Sequence, residues 1–172
     1  MVIDGNFQTP DKVCEYMVGL VPEKAYRILE PTPGLGNIVN ALAAKGKYVI
    51  HSPQDFFLME RNKRFDCVVM NPPFSSKTAY MENAPKDAET LGMKLGYHIL
   101  LECMKMSDNV IALMPWFTIA DSDVRLRVLK QFGIKSLTAL PRKTFKYARV
   151  QTTVIELEKG FVGETVFKVF DF

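Results

Sequence analysis

Cysteine is scarce and poorly placed for cross-linking. The chain has 3 in 172 residues. Cys14, Cys67 and Cys103 are an odd number at wide spacing, which argues against a disulfide framework or a zinc knot and fits a reducing compartment. Histidine is scarcer still, with only His51 and His98. The two are not arranged as ligands, and no metal is expected. No uninterrupted apolar run approaches the roughly 18 residues of a membrane span, so no membrane association is expected. The opening MVIDGNFQTPD has no basic segment followed by an apolar one and no small-residue cleavage site. No export signal is therefore read, and a cytoplasmic location is expected. Repeats and low-complexity tracts are missing too. What remains is an ordinary globular composition, 48% hydrophobic and 24% charged, long enough for one domain with a proper core and too short for two large ones. Residues 1–172 are expected to form a single domain.

The net charge of +3 is mild, but it is unevenly spread. Residues 121–150 carry eight basic side chains against Asp121 and Asp123, a local net of +6, whereas residues 1–120 and 151–172 are slightly acidic. Within this block, Pro141 to Arg149 interleaves Arg142, Lys143, Lys146 and Arg149 with the rings of Phe145 and Tyr147. Cations that pair phosphates, set among rings that stack on bases, are the composition of a nucleic-acid contact loop. A solvated loop would show the same charges.

Hydrophobic periodicity predicts alternating strands and helices. Thr9 is a candidate helix cap with Pro10 in the first turn, and Val13, Met17 and Leu20 share one helical face. The strand Tyr26 to Leu29 runs into Glu30-Pro31-Thr32-Pro33-Gly34-Leu35-Gly36. Asn37 then starts a helix that Gly46 stops. A strand, a glycine turn and a helix start form the opening of a nucleoside or dinucleotide site, with glycine allowing close backbone approach. The three-glycine fingerprint is absent, and a tight turn alone would also use Gly34 and Gly36. A second strand, Lys47 to Ile50, is followed almost at once by Asp55-Phe56-Phe57, which leaves no room for a full crossover helix. A long helix is predicted over Asp87 to Met106, where Gly92 and Gly96 mark close packing on a neighbour. Strands follow at Asn109 to Pro115, Ile134 to Leu140, Gln151 to Glu158 and Thr165 to Phe170. A helix from Asp121 or Ser122 to Phe132 separates the first two of these.

The most informative stretch is Phe65 to Phe74. The apolar run to Met70 reads as a buried parallel strand. Asn71-Pro72-Pro73-Phe74 stands at its carboxyl end, where open α/β sheets bind ligands. Each proline fixes its own φ and restrains the residue before it, so the tip is stiff and extended. It offers the Asn71 amide oxygen and the Pro72 carbonyl as acceptors, with no N–H at positions 72 and 73.

In this order, these segments resemble the amino-methyltransferases that use S-adenosylmethionine, of the adenine-N6 DNA methyltransferase type. The resemblance covers nearly the whole chain. It implies an α/β, Rossmann-like class I methyltransferase fold with a mostly parallel sheet, a C-terminal antiparallel strand pair and a second-strand crossover helix shortened or absent. It implies S-adenosylmethionine as cofactor and S-adenosylhomocysteine as product. Phe7, Thr9 and Pro10 would lie along the cofactor's methionine part. Glu30, Pro31, Gly34, Gly36 and Asn37 would form the cofactor loop, with Asp55 and Phe56 at the adenine end. Asn71 would border the cofactor and, with Pro72 and Phe74, act on the target adenine. Arg142, Lys143, Lys146, Tyr147 and Arg149 would meet nucleic acid, DNA in preference to RNA. The family's acidic residue at the end of the second strand is missing, so Glu30 would serve alone, or His51 or Ser52 would substitute. Other readings are an RNA or protein amide N-methyltransferase, and a non-catalytic nucleic-acid or partner-binding module. The lack of a recognition domain leaves open a homodimer or a separate specificity subunit.

Overall fold

The computed structural model describes residues 7–74, 81–86, 94–146 and 150–171. Its centre is one sheet of β1 (Arg27–Glu30), β2 (Tyr48–His51), β3 (Cys67–Met70), β4 (Asn109–Pro115), β5 (Ile134–Ala139), β6 (Thr152–Glu158) and β7 (Val166–Val169). The strand order is β2-β1-β3-β4-β6-β5-β7. Neighbours run parallel except where β6 pairs antiparallel with β4 and β5. The expected mostly parallel sheet with a C-terminal antiparallel pair is therefore present.

The central strands are buried because both faces are covered. Successive side chains of a strand point to opposite faces. Leu29, Val68, Met70, Val110 and Ala112 enter one apolar cluster, with Leu95, Ile99 and Cys103 of α3 (Lys94–Met106). Ile28, Cys67, Val69, Ile111 and Leu113 enter the other, with Val13 and Met17 of α1 (Asp11–Gly19) and Ile38 and Leu42 of α2 (Asn37–Ala44). Fully burying an aliphatic side chain of this size contributes about 1.5–3 kcal/mol, so these two faces fix which way each strand end points.

Several local expectations change. Pro10, not Thr9, occupies the position ahead of α1, and no side chain caps that helix. The described part of the long helix is α3, and the stretch predicted from Asp87 to Met93 lies outside the described residues. A short α4 (Phe117–Ala120), which periodicity does not reveal, precedes α5 (Asp123–Phe132). The Ser122 hydroxyl caps α5 by accepting from the Arg125 N–H at 3.3 Å. Between β2 and β3 the chain makes only a single 3-10 turn, Phe56–Leu58. The shortened second crossover read from the sequence is thus present.

Candidate active site

β1 and β3 are adjacent and parallel, so Glu30 and Asn71 emerge at the same edge of the sheet. Their loops are joined directly: the Thr32 hydroxyl donates to the Asn71 carbonyl at 3.3 Å, and the Thr32 N–H donates to Glu30 Oε1 at 2.9 Å. The glycine turn therefore stands beside the Asn-Pro-Pro-Phe tip. Gly34 and Gly36 have φ of +54° and +89°, the left-handed region that penalises a Cβ. Gly36 heads α2, and a Cβ built there meets nothing within 4 Å. The first N–H groups of this helix have no partner within it.

Residues 7–9 strap these pieces together. Gln8 Oε1 accepts from the Leu35 N–H at 2.9 Å. The Asn37 amide donates to the Thr9 carbonyl at 2.9 Å. Asn71 Nδ2 donates to the Phe7 carbonyl at 3.1 Å and to Thr9 Oγ1 at 3.0 Å. Thr9 is buried and serves as an acceptor for Asn71, not as a helix cap. With both Nδ2 contacts on the strap side, the amide turns Oδ1 the opposite way. Gln8 and Thr32 do not stand out in the sequence. A lone polar residue whose partner is 27 or 39 positions away leaves no local pattern.

Glu30 is the electrostatic anomaly of this edge. It is 1% exposed, and burial pushes its carboxyl up from 4.5 to about 8, although the Thr32 N–H and hydroxyl both pull it down. The two effects differ in kind: desolvation penalises the charge, and two donors only partly replace the missing water. The thiols are inert by comparison, since burial raises Cys14 and Cys67 to about 12 and Cys103 well above its usual value.

The tip itself is braced from behind. Pro72 is buried and Pro73 and Phe74 are partly buried. At Gly96 of α3 a Cβ would stand 3.0 Å from the Pro73 carbonyl oxygen and 3.4 Å from Pro72 Cγ. The close packing expected of Gly96 is therefore against this tip, while Gly92 lies outside the described residues. Phe74 packs on the cluster containing Val69, Leu140 and Phe145.

The adenine-end candidates are arranged differently from the expectation. Asp55 is buried with both oxygens engaged. Oδ1 accepts from the Phe57 N–H at 2.9 Å, and Oδ2 accepts from the Asn83 backbone N–H and side-chain amide, each at 3.0 Å. Phe56 is wholly buried in the core, edge-on to Phe57 at 5.3 Å, and it is not a surface ring. Pro31 is buried, and its carbonyl accepts a short bond from the Ser52 hydroxyl. Ser52 is therefore committed to the backbone, whereas His51 is exposed at the end of β2, in register with Glu30.

The basic block divides. Arg127 pairs with Asp123 at 3.5 Å, and Lys135 lies 3.8 Å from Glu156. The Arg125 guanidinium sits over Tyr97. Arg142 and Lys143 lie in a 3-10 turn, Arg142–Thr144, and with Lys146 they are exposed at the carboxyl end of β5. That is the sheet edge that carries Asn71. Phe145 is buried, so this ring supports the loop from beneath and is not a free stacking surface. Tyr147 and Arg149 lie outside the described residues. A cavity of about 540 Å³ lined by His98, Glu102, Lys105, Phe132 and Lys159 sits against α3 and α5, apart from this edge. Among the described residues no group of three His, Cys, Asp or Glu side chains could hold a metal, and no helix is long and apolar enough to cross a membrane.

By sequence, no family model and no curated protein matches the chain. Solved structures do match in shape. A type I restriction-modification methyltransferase subunit from Streptococcus thermophilus superposes with a TM-score of 0.69 at 17% identity, over 95% of this chain and 47% of that one. A protein of Listeria monocytogenes assigned as a class I S-adenosylmethionine-dependent methyltransferase gives 0.71 at 17%, over 98% and 68%. The fold is that of the class I methyltransferases. The 23S rRNA methyltransferase ErmE shares it, with a TM-score of 0.58 at 14% identity, over 89% of this chain and 69% of that one. This chain spans 46% and 47% of two type I restriction-modification subunits it matches, about half their length.

The residues present fit the amino-acid end of S-adenosylmethionine. Among the described residues no cation is among the groups that shift the buried Glu30 carboxyl, and the glycine turn that leads from it runs into the start of α2. At the adenine end Asp55 already accepts three hydrogen bonds, one from Phe57 and two from Asn83.

Proposed function

We propose that this chain transfers the methyl group of S-adenosylmethionine to the exocyclic N6 amine of adenine in DNA. The observation that carries this reading is the joint between the two motifs: Thr32 bridges Glu30 and Asn71 while Thr9 holds the Asn71 amide. Glu30 would meet the cofactor's cationic amine, and Gly34, Gly36 and Asn37 would line its backbone path. When bound, the cofactor supplies an electrophilic methyl group on a sulfonium.

The chain's own residues would then do three things. Asn71 Oδ1 and the Pro72 carbonyl accept from the adenine amine, whose lone pair is delocalised into the ring. These contacts strengthen as positive charge builds on nitrogen, so they favour the transition state over the ground state. The braced tip would keep that nitrogen oriented toward the transferable methyl group. Transfer would exchange the cofactor's C–S bond for the new N–C bond, and the nitrogen would then shed its proton to water. Phe74, on the same tip, would stack against a base extruded from the duplex, a contact worth about 1–3 kcal/mol. Arg142, Lys143 and Lys146 at the same edge would pair with phosphates, and Tyr147 and Arg149 would extend that contact. Choice of DNA sequence would come from a separate specificity subunit.

A binding module without catalysis has one observation in its favour, the engagement of Asp55 by Asn83. Incubation with cofactor and either DNA or RNA, followed by digestion to nucleosides and mass spectrometry, tests the proposal. N6-methyladenine from DNA is expected, with Asn71→Ala at least about 100-fold slower, the scale of removing an oriented polar contact to the transition state. An Asn71→Ala protein as fast as wild type would rule the chemistry out.

A further inference from the structure

The far edge of the sheet carries a strand that the described residues leave open. β7 pairs with β5 on one side and ends the strand order. Its residues are all exposed, with Val166 at 53%, Phe167 at 59% and Val169 at 66%. An edge strand is usually protected by charge, proline or a bulge. Here a Val-Phe-Lys-Val strand offers a single charge, Lys168, flanked by Glu164 two residues before the strand.

The backbone restricts what can pair there. The Phe170 N–H donates to the Ala139 carbonyl at 2.9 Å, so residue 170 turns its polar groups toward β5. In a parallel pairing alternate residues face one neighbour, so 166 and 168 face β5 as well, and 165, 167 and 169 face the open edge. A second copy approaching antiparallel about a two-fold axis must set open-edge residues against open-edge residues, which centres the axis on a residue. Centred on Lys168, the lysines oppose each other. Centred on Phe167, Glu164 meets Phe170 and Val166 meets Lys168. Centred on Val166, Thr165 and Phe167 exchange backbone hydrogen bonds, Val166 packs on its own copy, and Glu164 faces Lys168 reciprocally.

We infer that β7 is the pairing edge of a homodimer, joined antiparallel about Val166 and closed by reciprocal Glu164–Lys168 ion pairs. The contact is isologous, so it stops at two copies. Antiparallel pairing points the two Asn71 edges in opposite directions, and the second copy adds nothing to either site. The inference is therefore independent of the chemistry at those edges.

Sedimentation velocity on the full chain across a dilution series tests it. Wild type should move from the mass of one chain to that of two as concentration rises. Lys168→Glu places like charges opposite one another and should weaken association roughly tenfold or more, by removing two cross-strand pairs. Glu164→Lys combined with Lys168→Glu should restore it. Both positions are exposed, and circular dichroism would verify that each variant folds. A wild type that stays monomeric throughout, or a dimer indifferent to Lys168→Glu, would overturn the inference.

Discussion

Glu30 shows how one buried group links folding, ligand and pH. Its carboxyl titrates near 8 when folded against 4.5 ordinarily, so between those values the folded chain holds a proton that the unfolded chain has released. Stability from this group is complete below about pH 4.5 and falls as pH rises toward 8. Glu30→Gln removes the titration, so the variant should gain melting temperature relative to wild type at pH 8 and show little difference at pH 5. An offset equal at both pH values would contradict the burial account. The position of Glu30 at a strand tip is legible in the sequence, because an apolar run ends there. The lack of a cation among the described groups that shift it is not, since that depends on everything packed around it. The same holds at Asp55: the acidic-aromatic step is visible in sequence, but the Asn83 contact across 28 positions is not.

The elements matter here through what they hold in place. α3 contributes little to the candidate chemistry directly, yet its Gly96 lets the Pro72-Pro73 tip sit flush against it. Gly96→Ala favours the helix by up to about 1 kcal/mol but pushes on the Pro73 carbonyl. A displacement of a few tenths of an ångström should lower turnover about threefold to tenfold, given that about 1 Å costs about 100-fold. Steady-state kinetics beside a thermal melt separates the two effects, and unchanged kcat would show that the tip tolerates the shift. Strands β3 and β4 are legible because buried parallel strands read as continuous apolar runs, and β6 because its apolar residues partly alternate. The short α4 is not, since four residues are too few to establish a helical period. Thr9 looks like a cap because Thr before Pro has the same local appearance whether its hydroxyl meets its own helix or Asn71.

At the scale of the whole molecule, parallel topology gathers the glycine turn, the Asn71 tip and the Arg142–Lys146 segment onto one edge. The +6 block is visible in the sequence, but only the fold separates the cations at that edge from Arg125, Arg127 and Lys135, which are engaged elsewhere. Replacing Lys143 and Lys146 by alanine together should reduce the slope of log affinity for DNA against log salt by roughly 0.9 for each phosphate no longer neutralised. An unchanged slope, from fluorescence anisotropy titrations at several salt concentrations, would place the DNA elsewhere.

The central claim is that the glycine turn and the Asn-Pro-Pro-Phe tip share one site for a nucleoside cofactor. Calorimetric titration with S-adenosylhomocysteine tests it most directly. Saturable binding at one site per chain is predicted, weakened at least about tenfold in Glu30→Gln, where the cofactor's cationic amine loses its anionic partner and keeps only an uncharged acceptor. An absence of saturable binding to the wild-type chain would contradict it.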